Sequence, residues 1–572
     1  MGNLKLNKKY FRPILFLILY LVLSIFMYSV LKRDFVWNGD DVYYHFQRIM
    51  GISDNFTDGL LTSNISTSNF DKIGYGVNIF YPWLTLIPFQ LIFHVSGDRI
   101  GAYYLGLLFY FFVSFLISHY SMKQFSKNTS MAVIFAIVYN FSTYRLIEVF
   151  SRAAVAEYIA TIFLPLCFLG LYQIFFGDSK RWKPLAIGLS LIIFSHVLSV
   201  FMCLMMFFIV LILFVTKIKW SKLRVLNFIK AVVTTVLATL IFTVPFLMEE
   251  SFEKYGVPDP MKLAGQDLSK LIWFSFKNTS NRMIEGNIYN IGLLLIVTLF
   301  VGILAFRKFD KLFKAIYILF ILTFILSSNV FPWHLLQNTP IQVIQFPFRI
   351  LMFTTLFGSA ITARILVNVF ENGTQRNFIV MTAVVSLVAG GLWYSSIQKA
   401  YPHSLLSKPQ LIITKKMLNE DKLPETYVNQ YMPSRAAAEM ERVQHHEVNL
   451  NQKIIAQVPA VEKHGNVFTF DNIKKGDVID LPYIRYKYTH AKLNGKNVPI
   501  SFSKRGTVQI VAPRNYTHLK INLSYGNRNL FILATSLSVL AWIYLLGSAW
   551  ITKLLGVLSR SNKEILSTEP TI

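Results

Sequence analysis

Acidic residues and cysteines are scarce in this chain of 572 residues. Thirty Asp and Glu stand against 56 Lys and Arg, a formal net charge of +26. The two cysteines, Cys167 and Cys203, both sit inside apolar runs, so the segments outside those runs carry no disulfide. That usage is compatible with a bacterial surface. Charged residues of either sign make up only 15% of the chain, whereas 54% is hydrophobic and the mean hydropathy is +0.46. Such a balance excludes a disordered chain and an ordinary water-soluble domain. Several catalytic signatures are missing too: a phosphate-binding loop, a dinucleotide fingerprint, a Gly-x-Ser-x-Gly elbow and a His-Glu-x-x-His pair. His445-His446 is an isolated pair with no third ligand nearby, which argues against zinc. No internal repeat or low-complexity tract occurs.

What is present is a succession of apolar runs, most of about 18 to 22 residues, the mark of a polytopic membrane protein. The excess positive charge is not spread as a nucleic-acid footprint. It collects in short clusters between the runs, at Lys5/Lys8/Lys9/Arg12, Lys180/Arg181/Lys183, Lys217/Lys219/Lys222/Arg224/Lys230 and Arg307/Lys308/Lys311/Lys314, as cytoplasmic loops do. Spans read at 12–31, 100–121, 130–143, 156–175, 185–197, 199–216, 229–248, 287–306, 315–330, 349–369, 378–395 and 530–550. The first is too long for a signal-peptide core and lacks a cleavage site, so it is expected to stay as an anchor. The segment 80–95 is apolar but short. Counting it as a span would turn the basic loops outward, so it reads as a re-entrant or juxtamembrane helix inside a first outer loop at 32–99. The expectation is an α-helical membrane protein of about 12 spans with both ends in the cytoplasm.

The polar insertion between Ser396 and Asn529 then falls outside. Its last part alternates, as in Val467-Phe468-Thr469-Phe470, Thr507-Val508-Gln509-Ile510-Val511 and Leu519-Lys520-Ile521-Asn522-Leu523, with turn signals at Asn494-Gly495 and Arg505-Gly506. A small extracytoplasmic β-sandwich at about 448–526 is expected. The domains are therefore 1–395 in the membrane with its outer loop, 396–529 outside, and 530–572 as a last span and cytoplasmic tail.

Four polar groupings share the outer face in this topology. Gly39-Asp40-Asp41 precedes a helix on which Asp41, His45 and Arg48 share one side, opposite an apolar stripe of Val42, Phe46 and Ile49; Asp40 reads as its N-cap. Between spans three and four, Arg145, Glu148 and Arg152 recur at helical spacing and Glu157 enters the next span. Ser195-His196 forms a tight turn, and Arg349 opens a later span, with Arg282 and Glu249/Glu250 in a nearby loop. Taken singly, Arg145–Glu148 reads as a plain helix ion pair, His196 as a packing residue and Arg349 as an arginine reaching lipid headgroups. Four at one surface together favour function. Asp40, Asp41, Glu157 and His196 are a conceivable divalent-cation set, so the cofactor is left open between none and such an ion.

Gly39-Asp40-Asp41-x-x-x-His45-x-x-Arg48-Ile49, Ser151-Arg152-x-x-x-x-Glu157 with Leu164-Pro165-Leu166 beyond, and Ser195-His196 resemble YfhO-like bacterial membrane proteins. Some members of that family carry the label 6-pyruvoyl-tetrahydropterin synthase-related. More broadly, the acidic motif after the first span and the second charged loop look like GT-C glycosyltransferases. Gln430-Tyr431-Met432-Pro433, Leu481-Pro482-Tyr483 and Leu493-Asn494-Gly495-Lys496 are similar to that family's outer β-domain. The resemblance implies a GT-C-like core in the bacterial plasma membrane with its active site outside. It also implies transfer of a sugar from a polyprenyl-phosphate lipid to a cell-envelope acceptor such as teichoic acid, polysaccharide or surface protein.

Inverting transfer needs a base for the acceptor hydroxyl and a cradle for the leaving phosphate. The expected base is Asp41, with Asp40 second. His45 and Arg48 are expected to position acceptor or phosphate, Arg152, His196 and Arg349 to bind phosphate, and Arg145, Glu148 and Glu157 to complete the binding site. The competing class is a flippase of lipid-linked wall precursors, whose sign would be charges deep within spans or mirrored halves. A third is a noncatalytic assembly partner that binds polymer through the β-domain.

Overall fold

The structure is a computed structural model, and it describes residues 8–57, 64–256, 261–280, 289–369, 374–400, 412–419, 430–463 and 465–566, with side chains over 13–547 of these. Arg282 lies outside the described residues. The chain is mostly helical, and among the described residues seven helices are long and apolar enough to cross a membrane: Pro13–Leu31, Arg99–Ser126, Val155–Phe175, Lys222–Glu250, Pro347–Val369, Gln375–Ala400 and Arg528–Gly547. Thr129–Asn140 and Thr143–Val149 make an eighth if their 47° bend is counted within one span. The protein is a multi-pass membrane protein.

Four stretches read from sequence as full spans are shorter helices: Lys183–Ile193, Val197–Leu213, Gly292–Ala305 and Lys311–Leu326, of 11, 17, 14 and 16 residues. At about 1.5 Å per residue none reaches the roughly 30 Å of a hydrocarbon core alone. Hydropathy alone merged them with the turns that end them, of which Phe194-Ser195-His196 is one. The segment at 80–95 resolves into a short turn and the helix Ile87–Ser96, which packs on Arg99–Ser126 and on Val42–Thr57.

Ten strands between Glu447 and Tyr525 form two five-stranded antiparallel sheets, a β-sheet domain separate from the bundle. Alternation along Thr489–Leu493 and Tyr516–Tyr525 points one face of each strand inward. Both sheets share one core, which includes Ile479, Leu481 and Ile510 from one and Phe468, Leu519 and Ile521 from the other.

That core does not stop at the domain's edge. Phe70, Ile73, Tyr75, Ile79 and Phe80 of the first outer loop belong to it, with Tyr44. The Ile484 amide donates to the Ile73 carbonyl at 2.8 Å, and the Tyr486 hydroxyl receives the Gly76 amide at 2.7 Å. A Cβ at Gly74 or Gly76 would enter the rings of Tyr483 or Tyr486, and Gly74 has φ +69°, so both positions require glycine. The end of the Lys222–Glu250 helix is tied in as well: Glu249 accepts from the hydroxyls of Tyr255 and Tyr525 and from the Lys487 amide. Glu249 therefore serves domain docking, rather than standing beside Arg349.

Candidate active site

The Asp40-Asp41 pair is held from both sides. Upstream, Phe35–Trp37 pairs with Ile412–Thr414 as a small antiparallel ribbon, and Trp37 packs on Phe150. Downstream, the helix Val42–Thr57 begins, and its first bond runs from the His45 amide to the Asp41 carbonyl. Asp41, not Asp40, therefore stands at the cap position, because the cap is the residue whose carbonyl accepts that bond. Asp40 is turned aside by a second contact, its amide donating to the Arg152 carbonyl at 2.7 Å. Only glycine fits at position 39, since a Cβ there would collide with the same carbonyl.

Arg152 is the centre of the site. Thr143–Val149 ends before it, and the chain folds back so that the Arg152 amide bonds the Ile147 carbonyl and the Ala154 amide bonds Glu148's. Ala153 takes φ +52° to complete the reversal. The Arg152 guanidinium then meets three carboxylates: Asp40 at 3.1 Å, Glu148 at 2.7 Å and Glu157 at 2.6 Å. Burial works against its charge, but Glu148 and Glu157 override that and hold it firmly protonated. Arg349 arrives from 192 positions away to share the same Glu157 oxygen at 3.1 Å. Its other contacts are the Ile344 carbonyl and the Gln345 amide oxygen, with Gln345 at φ +61°. Nη2 of both arginines receives no hydrogen-bonding partner from the described residues.

Asp41 is half-buried, and none of the hydrogen bonds or ion pairs among the described residues reaches its carboxylate. Burial raises its pKa, Arg152 lowers it, Asp40 raises it, Arg349 lowers it and Glu157 raises it; the net shift is upward. Around it, Glu148 Oε1, Glu157 Oε1 and the hydroxyls of Ser151 and Tyr144 are buried with no hydrogen-bond partner. Four carboxylates against two guanidinium groups leave the cluster with an excess of acid.

On the neighbouring wall, Arg48 donates to Asn78 Oδ1 and to the carbonyls of Tyr81 and Pro82, and its guanidinium lies 4.3 Å from the Tyr81 ring centre. It staples the outer loop in place. His45 is fully enclosed with neither ring nitrogen partnered, and its ring meets Tyr44 and Tyr81 edge-on. Burial, Arg48 and His196 hold its pKa well below the usual imidazole range, so it is neutral. His196 Nδ1 lies 2.8 Å from the Ser199 hydroxyl, and its ring is 6.0 Å from that of Tyr81. The Ser195 hydroxyl instead turns back to the Leu191 carbonyl.

Asp40, Asp41, Glu148, Arg152, Glu157 and Arg349 thus come together, with His45, Arg48 and His196 joined to them through Tyr81. Arg145 goes elsewhere. Its three donors reach Thr161, Asn140 and Ser114, and its guanidinium is sandwiched between Tyr139 and Tyr158. Helical spacing placed it with Glu148 and Arg152, but its guanidinium is taken up by those neutral acceptors, and Glu148 pairs with Arg152. No group of three or more His, Cys, Asp or Glu among the described residues is arranged to hold a metal ion; Asp40, Asp41, Glu157 and His196 do not assemble as one.

Tyr81, Tyr431, Tyr144 and Gln345 are absent from the sequence reading of the site. Tyr431 belongs to the polar insertion, has φ +69°, stacks on Phe80 and meets Tyr81 edge-on. Burial pushes its phenol up to about 12. The motif Gln430-Tyr431-Met432-Pro433 was a signal for it, though not for its place beside Arg48.

No family model matches the chain, and no curated protein matches it. Among solved structures, arabinofuranosyltransferase AftD from Mycobacteria, seen by single-particle cryo-EM, is similar over 69% of this chain and 27% of its own, with 12% identity and a TM-score of 0.41. The chain spans about a quarter of that protein's length.

Proposed function

We propose that this chain is a membrane glycosyltransferase of GT-C type. It moves a sugar from a polyprenyl-phosphate donor to a hydroxyl of a cell-envelope acceptor outside the bacterial plasma membrane. One observation carries the reading: an Asp41 carboxylate without a protein hydrogen-bond partner beside two arginines that share one buried glutamate oxygen. The acceptor oxygen attacks the anomeric carbon while Asp41 takes its proton. The bond from that carbon to the phosphate oxygen breaks, and the phosphate leaves with the electron pair. A single carboxylate on the acceptor side suits direct displacement with inversion.

Arg152 and Arg349 meet the departing phosphate through Nη2, the donors that the protein does not use. Glu157 holds both guanidinium groups in register and Asp40 fixes Arg152. Neutral His45, Tyr81 and Tyr431 offer hydrogen bonds and aromatic faces to sugar, and the orphaned oxygens of Glu148, Ser151 and Tyr144 suit a polyhydroxylic ligand. Burial keeps the proton affinity of Asp41 high, as a base requires.

The test is mass spectrometry of envelope polymers and surface proteins from cells lacking the chain and from cells carrying Asp41→Asn. Both should lose the same sugar. Persistence of that sugar in both Asp40→Asn and Asp41→Asn cells would refute the assignment.

A further inference from the structure

At the end of the bundle away from Asp41, a cavity of about 470 Å³ opens among six helices. Phe135, Phe168, Leu319 and Phe357 make its walls, and Pro165 lies on it. Pro165, inside Val155–Phe175, has no amide to donate to the preceding turn. The volume is in the ordinary range of a ligand site.

The polar edge is confined to one rim. Lys217 ends the turn after Val197–Leu213 and Lys311 starts Lys311–Leu326, and both line the cavity. Both are exposed, and neither ammonium has an ion pair or hydrogen bond among the described residues. Lys311 even opposes its helix dipole, a placement that an anion would relieve. The neighbouring carboxylate, Asp310, is engaged by Arg364 at 3.5 Å and by the amides of Leu312 and Phe313. These lysines belong to the basic loops that the positive-inside rule assigns to the cytoplasm.

We infer that this cavity is a binding site for one anionic phospholipid of the inner leaflet, its acyl chain among the phenylalanines and its phosphate between Lys217 and Lys311. Charge complementarity selects the class of occupant: wall and rim together suit an apolar body with one anionic head. The tail of a lipid-linked sugar fits less well. Its phosphate would sit near Glu157, and Tyr172 at the rim is 15 residues, or about 22 Å, further along that helix. This site does not depend on the sugar-transfer reading.

The experiment is native mass spectrometry of the full chain in detergent with equal dioleoyl phosphatidylglycerol and dioleoyl phosphatidylcholine. The expected result is one retained phosphatidylglycerol, favoured by about tenfold. Lys217→Gln/Lys311→Gln should reduce that preference to within about twofold, because exposed lysines can be changed without unfolding the bundle. Ala360→Phe, which pushes a ring into the cavity from its wall, should weaken retention of both lipids, with an unchanged melting temperature confirming its fold. Equal retention of the two lipids by the native chain would overturn the site. So would a preference untouched by the double lysine change, or displacement of phosphatidylglycerol by an equal amount of polyprenyl phosphate.

Discussion

At the scale of the residue, Asp41 carries two opposed demands. A carboxylate whose proton affinity is raised by burial is a better base and a poorer contributor to stability. The native state binds that proton more tightly than the unfolded chain does. Stability therefore falls as pH rises from the ordinary carboxylate value, about 4, to the raised native value. Asp41→Asn removes that penalty. It should lower transfer by about 10²- to 10⁴-fold while leaving the melting temperature at neutral pH equal or higher, as calorimetry in detergent would show. Activity needs the ionised form, so kcat/KM plotted against pH should rise through an acid limb placed above the usual carboxylate range. A limb near pH 4 would place the base elsewhere.

Among elements, the turn after Thr143–Val149 matters most, because it separates two arginines that share a helical spacing. Arg145 bridges three helices through neutral acceptors, and Arg152 gathers acids. Arg145→Ala should cost about 3 kcal/mol of stability, measured by thermal unfolding, with activity per folded molecule retained. Glu157→Gln should cost about 3 kcal/mol of stability and, unlike Arg145→Ala, should also lower activity per folded molecule. It removes the charge that aligns Arg152 and Arg349, so transfer should fall by about 10²-fold with the loss expressed in kcat. Gly39→Ala tests the same turn from the other side. Its methyl group would push the Arg152 carbonyl away from the Asp40 amide, and hydrogen exchange at residues 150–154 should accelerate.

Across the whole molecule, the β-sheet domain and the first outer loop share a single core, and the site lies under that seam. Tyr431 reaches Tyr81 only because Tyr486 holds both the Gly76 amide and the Tyr431 carbonyl. Gly74→Val, whose side chain would occupy the place of the Tyr483 ring, should loosen the seam. Hydrogen exchange over residues 64–81 should rise while the membrane helices stay protected, and transfer should drop although no charged group has changed.

Much of this protein is legible in its linear order. Apolar length, clustered lysines and alternating strands report burial in lipid or in a sheet, and these are local quantities. So Asp41, Arg152, Glu157 and Arg349 could be singled out, since charges at a bilayer boundary are conspicuous. Whether a given charge meets another depends on where a helix stops and the chain reverses, and spacing alone does not carry that. Arg145 and Arg152 show the difference within eight residues: one was drawn into the bundle, the other into the acids. Only the tertiary structure decided that Glu157 pairs with a residue 192 positions away and that a tyrosine from the polar insertion closes the site. Such pairings are set by packing between distant segments, an interaction that has no counterpart in local sequence.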